Sequence, residues 1–313
     1  MNKQDDLPET ANPSTQPSPA QAVGRAVTLL LLPSNAAVVL GPAWATLCGA
    51  CAAGNWRWDG STLLALVVTL FLTEILWGSW RAQLVEMDWD GYLAVHPLPA
   101  RGDAVPMLPY TTPASPLGRA LGRWGQIRRW IRETLPVERR GALFALPILP
   151  PLTLLLSALI GVHTVTLSLA ALALSLLEWR LARRGHAHSA LQAGLEIGLS
   201  WLAGHTIFSP LTAASFSLAC CYAIAYQGAL AYQRPGHRSW ALPALYSGQV
   251  AALIVVLAQG HPRAPLVATG IGLLLAPQLL LLARSQSGKA DNGYLRRAIP
   301  FVMLAMPLAA WVA

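Results

Sequence analysis

The stretch 62-TLLALVVTLFLTEILWGSW-80, continued at once by 81-RAQLVEMDWDGY-92, decides how this chain reads. Its first half is apolar over the roughly 20 residues that a helix needs to cross a hydrocarbon layer of about 30 Å. Its second half crowds Gln83, Glu86, Asp88 and Asp90 onto the end of that helix. The rest of the chain has the same apolar character: 54% of its residues are hydrophobic, 12% are charged, and the mean hydropathy is +0.46. Such a balance describes a polytopic, all-α membrane protein. It excludes a soluble enzyme, a DNA-binding protein and a β-barrel.

Nine runs are long enough to span, at about 27–52, 61–80, 141–160, 162–179, 189–206, 209–230, 241–259, 264–283 and 297–313. Short connections near 161, 207 and 261 make neighbouring helices antiparallel hairpins. Prolines inside the runs, among them Pro33, Pro147, Pro150, Pro151 and Pro277, are tolerated where neighbours satisfy the freed backbone groups. Lys and Arg accumulate in cytoplasmic loops. With nine spans, all of the 22 basic residues except Arg57 and Arg263 fall on the side of the N-terminus. The N-terminus is therefore expected in the cytoplasm and the C-terminus outside, in an inner or plasma membrane. Topology and anionic headgroups account for the net charge of +8, so no nucleic-acid partner is implied.

Residues 1–24 are polar, acidic and proline-rich, which predicts a disordered cytoplasmic tail ahead of a membrane domain over 25–313. Cys48 and Cys51, and the adjacent Cys220 and Cys221, lie within spans and read as small apolar packing. The long cytoplasmic loop 81–140 divides in two. Six prolines over 91–116 predict an extended segment above the cytoplasmic mouth. Residues 117–135 then place Leu117, Leu121, Trp124, Ile127, Ile131 and Leu135 at steps of three and four among Arg119, Arg123, Arg128, Arg129 and Arg132. That pattern is a basic amphipathic helix for the membrane interface, or else for a soluble partner.

If the helix of the opening stretch continues unbroken, Gln83, Glu86 and Asp90 share one face across the mouth of the bundle. Oxygen-bearing side chains so arranged suit Mg²⁺, which takes one or two carboxylates together with phosphate oxygens and water. The plain alternative is a solvated helix end. Glu74 and Glu196 lie within spans, where a carboxyl lines a cavity, pairs with an arginine or carries a proton. Tryptophans gather near span ends, as an interfacial belt requires, with Trp77, Trp80 and Trp89 close to the acidic stretch.

Four local stretches resemble the UbiA-type intramembrane prenyltransferases. The stretch 82-AQLVEMDWD-90 is similar to the family's NDxxDxxxD motif after the second helix, with Ala82 at the Asn position and Gln83, Glu86 and Asp90 at the three Asp positions. The stretch 222-YAIAYQGALAYQRPGHRSWALPALYSGQ-249 resembles the second motif, after the sixth helix, with Gln227 at its first Asp. The stretch 132-RETLPVERRGALFAL-146 looks like the turn into the third helix, and 178-EWRLARRG-185 like the basic loop after the fourth.

The resemblance implies a nine-helix bundle around a central cavity open to the cytoplasm. It also implies transfer of a prenyl group from a prenyl diphosphate to an aromatic or lipid-like acceptor. Its motifs imply catalytic roles for Gln83, Glu86, Asp90 and Gln227, with Mg²⁺ on Glu86 and Asp90. The sequence departs from the family in one respect that bears on charge. No Asp or Glu occurs between Tyr222 and Ala290, so the second site offers Arg234, His237 and Arg238, together with Arg183 and Arg184 from the loop after the fourth helix, as direct holders of the diphosphate. Glutamine supplies a carbonyl oxygen but no negative charge, which weakens Mg²⁺ binding. The alternative function is a non-catalytic relative that binds an isoprenoid, quinone or pigment or scaffolds a membrane complex. A transporter would require internal repeats, and none stands out.

Overall fold

A computed structural model of the protein describes residues 41–54, 59–98, 115–184, 189–232, 238–286 and 293–313. The expected tail at 1–24 and the first part of the run 27–52 lie outside them. Everything described beyond loops and turns is helical: α1 (Gly41–Ala52), α2 (Gly60–Glu86), α3 (Trp89–Val95), α4 (Pro116–Glu133), α5 (Val137–Ile160), α6 (Val162–Ala182), α7 (189–206), α8 (Ala213–Tyr232), α9 (Arg238–Ala258), α10 (Ala264–Gln286) and α11 (Gly293–Ala310). Among the described residues six segments are long and apolar enough to cross a membrane, within α2, α5, α6, α8, α9 and α10. The apolar run in α11, Arg297–Ala310, is shorter. Helix α7 is diluted by Gln192, Glu196 and His205 because it is an interior helix. Its Trp201, Ala203 and His205 are fully buried, so its surroundings are protein and not lipid.

Close backbone contact fixes the packing. Helix α7 lies along α1 with glycines meeting carbonyls in both directions: a methyl on Gly49 would overlap the Trp201 carbonyl, and one on Gly204 the Thr46 carbonyl. Helices α8 and α9 meet in the same way, Gly228 against Ala241 and Leu245, and Gly248 against Cys221 and Ala225. Small residues at such crossings are how membrane helices gain dispersion contacts without a hydrophobic driving force. One buried cluster joins α1, α7, α8, α9, α10 and α11 around Trp201, Tyr222 and Ile271, while a second joins α2, α5, α6 and α7 around Leu72, Trp77 and Leu195. Outward residues such as Leu64, Val67, Leu155 and Leu159 remain exposed, as a lipid-facing surface requires. Between α9 and α10, Gln249 and Gln278 are fully buried and exchange amide hydrogen bonds of 3.1 and 2.9 Å.

Two expectations need correction. The segment 91–116 is not extended from its start, because residues through Val95 belong to α3; residues 99–114 lie outside the described part. The helix of α2 does not continue through Asp90. It stops at Met87, whose φ of −80° and ψ of 120° are extended, and Asp88 caps the next helix by accepting the Gly91 N–H at 2.8 Å. The basic helix expected at 117–135 is present as α4, opened by Ser115 as its cap and Pro116 in its first turn.

Candidate functional site

The end of α2 owes its geometry to two π-helical segments, Phe71–Trp77 and Ala82–Glu86, with a third, Gly194–Leu199, in α7. Each carries one carboxylic residue: Glu74, Glu86 and Glu196. A π segment inserts extra backbone into a helix and re-aims the side chains around it, which is why such segments gather at functional sites. Two of the three, Glu86 and Glu196, lie against Arg81.

Arg81 is the centre of the arrangement and is only 7% exposed. Its Nε and Nη2 donate to the two carboxylate oxygens of Glu178 on α6, at 2.9 and 3.1 Å, a bidentate pair. Its Nη1 donates to Glu86 at 2.9 Å and lies 3.4 Å from Glu196. Glu196 in turn accepts from the Tyr226 hydroxyl at 2.7 Å and from the Gln192 amide at 3.0 Å. Glu74 is held apart from the arginine by the Ala43 N–H, which it accepts at 3.0 Å. One guanidinium thus joins α2, α6 and α7, and the Tyr226 hydroxyl brings in α8.

Beyond the break at Met87 the second pair forms. Both carboxylate oxygens of Asp90 accept from Arg183, which follows α6, and the guanidinium also stacks over Trp179 at 4.6 Å. The hydrogen bonds from Arg183 hold the Asp90 carboxyl below the usual carboxylate range. Trp89 ties the two halves of the turn together by donating its indole N–H to the Gln83 carbonyl at 2.9 Å. Tyr92 anchors α3 from its other side. Its hydroxyl donates to the Thr134 carbonyl at 2.6 Å, its ring meets Trp130 edge-on, and Arg139 sits over its face at 4.1 Å.

The acidic residues that the sequence groups on one face therefore have separate companions in the structure. Glu86 and Asp90 do not share a helical face; the first goes to Arg81 and the second to Arg183. Gln83 is half-buried in the π segment, and Gln227 is half-buried on α8 directly after Tyr226. Arg184 is exposed beside Arg183. Arg234 and His237 lie outside the described residues, and of Arg238 only its place at the start of α9 is described. Arg81, Glu178, Gln192 and Tyr226 went unnoticed. The signal for them was present: a span-end arginine and two intramembrane glutamates are charges that need partners.

Mg²⁺ would require carboxylates that converge on one point with free oxygens. Among the described residues no three His, Cys, Asp or Glu side chains form such a group. Glu86 and Asp90 are each committed to a guanidinium, so their donor set does not fit a shared divalent ion. What the arrangement offers instead is a guanidinium on each side of the turn, Arg81 held among three glutamates and Arg183 paired with Asp90 alone.

The chain is similar to a bacteriochlorophyll synthase. The relative is the bacteriochlorophyll synthase 34 kDa chain of Chloroflexus aurantiacus, 34% identical over 134 residues. The match covers 36% of this chain and 43% of the relative, so the chain spans less than half the length of that protein. No family model matches the chain, and no solved structure matches it.

Proposed function

We propose that the protein is a UbiA-type intramembrane prenyltransferase that takes an isoprenoid diphosphate and transfers its prenyl group to an aromatic or lipid-like acceptor. The observation that carries this reading is the similarity to a bacteriochlorophyll synthase chain. The nine-span topology belongs to the same reading, with α1, α7 and α11 joining the six candidate spans around a cavity open to the cytoplasm. The N-terminus then lies in the cytoplasm and the C-terminus outside, as the distribution of basic residues supports.

In this reading the chain's own cations hold the leaving group. Arg183 and Arg184 follow α6, and Arg234, His237 and Arg238 stand between α8 and α9 in sequence. Guanidinium groups take phosphate oxygens through paired, charge-assisted hydrogen bonds. As the allylic C–O bond breaks, its electron pair stays on the diphosphate, and fixed cations in a water-poor site stabilise that developing charge. The acceptor attacks the freed carbon and releases its proton to water. Asp90 acts as a placeholder, keeping Arg183 aimed into the turn until phosphate oxygens displace it. No step is assigned to a divalent ion.

The test is binding of radiolabelled geranylgeranyl diphosphate to the purified protein in Mg²⁺ and in EDTA, followed by an acceptor screen for prenylated product. Binding in both conditions that weakens about tenfold in Arg183→Ala is expected, since the paired, charge-assisted hydrogen bonds to phosphate are lost with that side chain. Binding that needs Mg²⁺ would overturn the arginine-held diphosphate while leaving the reaction in place. No binding in either condition would overturn the function.

A further inference from the structure

Helix α4 stands apart from the spans in composition and in burial. Over its 18 residues only Gly118 is buried, while Leu117 and Trp124 are 60% and 63% exposed. These two lie seven residues apart and so share one face of the helix, with Leu121 between them. An exposed tryptophan and leucine on the same stripe are what a helix lying in a headgroup layer presents to the acyl boundary. Arg119, Arg128, Arg129 and Arg132 are exposed, and Glu133 is the helix's single acidic residue. Long arginine stems run along apolar surface and carry their charge out to phosphate depth. The chain ties α4 to the same level: Arg139, six residues past its end, opens the span 139–160.

We propose that α4 docks on the anionic phospholipid headgroups of the leaflet it faces, and that Tyr92 carries this docking to α3. The inference does not rest on the enzymatic reading: the groups that dock and transmit, the arginines of α4 and Tyr92, are given no part in the reaction, and the Asp90–Arg183 pair enters only as what they hold in place. The second half rests on a chain of contacts. Tyr92 is clasped by Trp130 of α4, by the Thr134 carbonyl just past it, and by Arg139. It lies two residues from Asp90, on a helix of only seven residues, so whatever holds Tyr92 also holds the Asp90–Arg183 pair in place. Charge selects the occupant. Four exposed arginines suit a surface of phosphates, whereas a neutral bilayer meets only Trp124 and Leu117.

The experiment is amide hydrogen exchange of the full chain in nanodiscs of pure phosphatidylcholine and of phosphatidylcholine with phosphatidylglycerol. Each arginine near an anionic surface favours the docked state roughly fivefold. The triple variant Arg128→Gln, Arg129→Gln, Arg132→Gln should therefore lose about a hundredfold of the protection that anionic lipid gives residues 116–133. Protection of 89–95 should rise with phosphatidylglycerol in the wild type and stay flat in Tyr92→Ala, whose α4 still responds. High salt should erase the lipid effect by screening. Amides of α5 and α6 serve as the control that a variant is folded, and the wild-type comparison of the two lipids needs no variant at all. Equal exchange of 116–133 in both lipids would overturn the docking and leave that face to a soluble partner. Docking without any response in 89–95 would overturn the transmission through Tyr92.

Discussion

Removing the guanidinium of Arg81 should be the most damaging single change among the charged residues of this protein. The side chains of Arg81, Glu178 and Glu196 are 9%, 6% and 15% exposed. Arg81→Met leaves the Glu178 carboxylate with no cation in a place that water barely reaches. Breaking one side of a buried pair costs about 3–5 kcal/mol, because the stranded charge keeps its desolvation penalty. Glu178→Gln is milder, since Arg81 retains Glu86 and Glu196; a lost charge-assisted bond is worth roughly 1.5–3 kcal/mol. The double variant Arg81→Met, Glu178→Met should recover much of the loss, because apolar replacement of a whole buried pair is often neutral, and Glu196 still has Tyr226 and Gln192 as donors. Glu86→Ala should lie below about 1 kcal/mol, as that side chain is 60% exposed. Reversible unfolding in SDS, followed by far-UV circular dichroism, gives each value and closes the double-mutant cycle. Losses that simply add, or an Arg81→Met loss as small as that of Glu86→Ala, would refute the idea that this guanidinium holds α2, α6 and α7 together.

The Gln249 and Gln278 pair behaves by the same logic without charge. Gln249→Leu alone should cost about 1–3 kcal/mol by orphaning a buried amide, while the double replacement by Leu should be close to neutral, both read by the same SDS titration. The Asp90–Arg183 pair should show its sign in a pH titration. Because the folded carboxyl is held below its ordinary range, its small contribution is present above the unfolded value of about 3.9 and is lost as pH falls through the folded one. Carbon-13 NMR of labelled aspartate should place Asp90 below the other aspartates, and Arg183→Ala should return it upward. An Asp90 resonance that ignores that substitution would show the pair to be absent in solution.

Six of the nine expected spans are long and apolar enough to cross a membrane among the described residues, and these were legible because length and hydropathy act over some twenty residues, where local irregularity averages out. Helix α2 reads as a membrane span whether or not it contains π segments, and α5, α6, α8, α9 and α10 read the same way. Of the candidate site, only the turn that carries Glu86 and Asp90 was legible, not how they are arranged. Face-sharing of Gln83, Glu86 and Asp90 assumes 3.6 residues per turn. Two π segments lie in α2, and the second, Ala82–Glu86, breaks that register together with the extended Met87. Neither has a composition that separates it from ordinary helix: FLTEILW and AQLVE are both good helix sequence. Partners were harder still, since Arg81 and Glu178 lie 97 residues apart and meet only once α2 and α6 have packed. Tyr92 gave no sign of its role, because a tyrosine near a helix end fits an interfacial belt as well as a clasp.

Charge stoichiometry explains why the turn between α2 and α3 can be built from arginines. A shared divalent ion demands that its carboxylates point at one another, and their mutual repulsion must then be neutralised by that ion alone. Here Glu86 and Asp90 each have a guanidinium within reach, and the two arginines come from different elements, one inside α2 and one after α6. The two cations differ in what holds them. Arg81 is buried and bound to three glutamates, so displacing it would strand charges and it is fixed in place. Arg183 is half-exposed and bound to a single aspartate, in contact with solvent. An incoming polyanion competes with one exposed carboxylate for Arg183, but with a buried network for Arg81. Of the two, only Arg183 is positioned to change partners, and Asp90 is the residue it would leave.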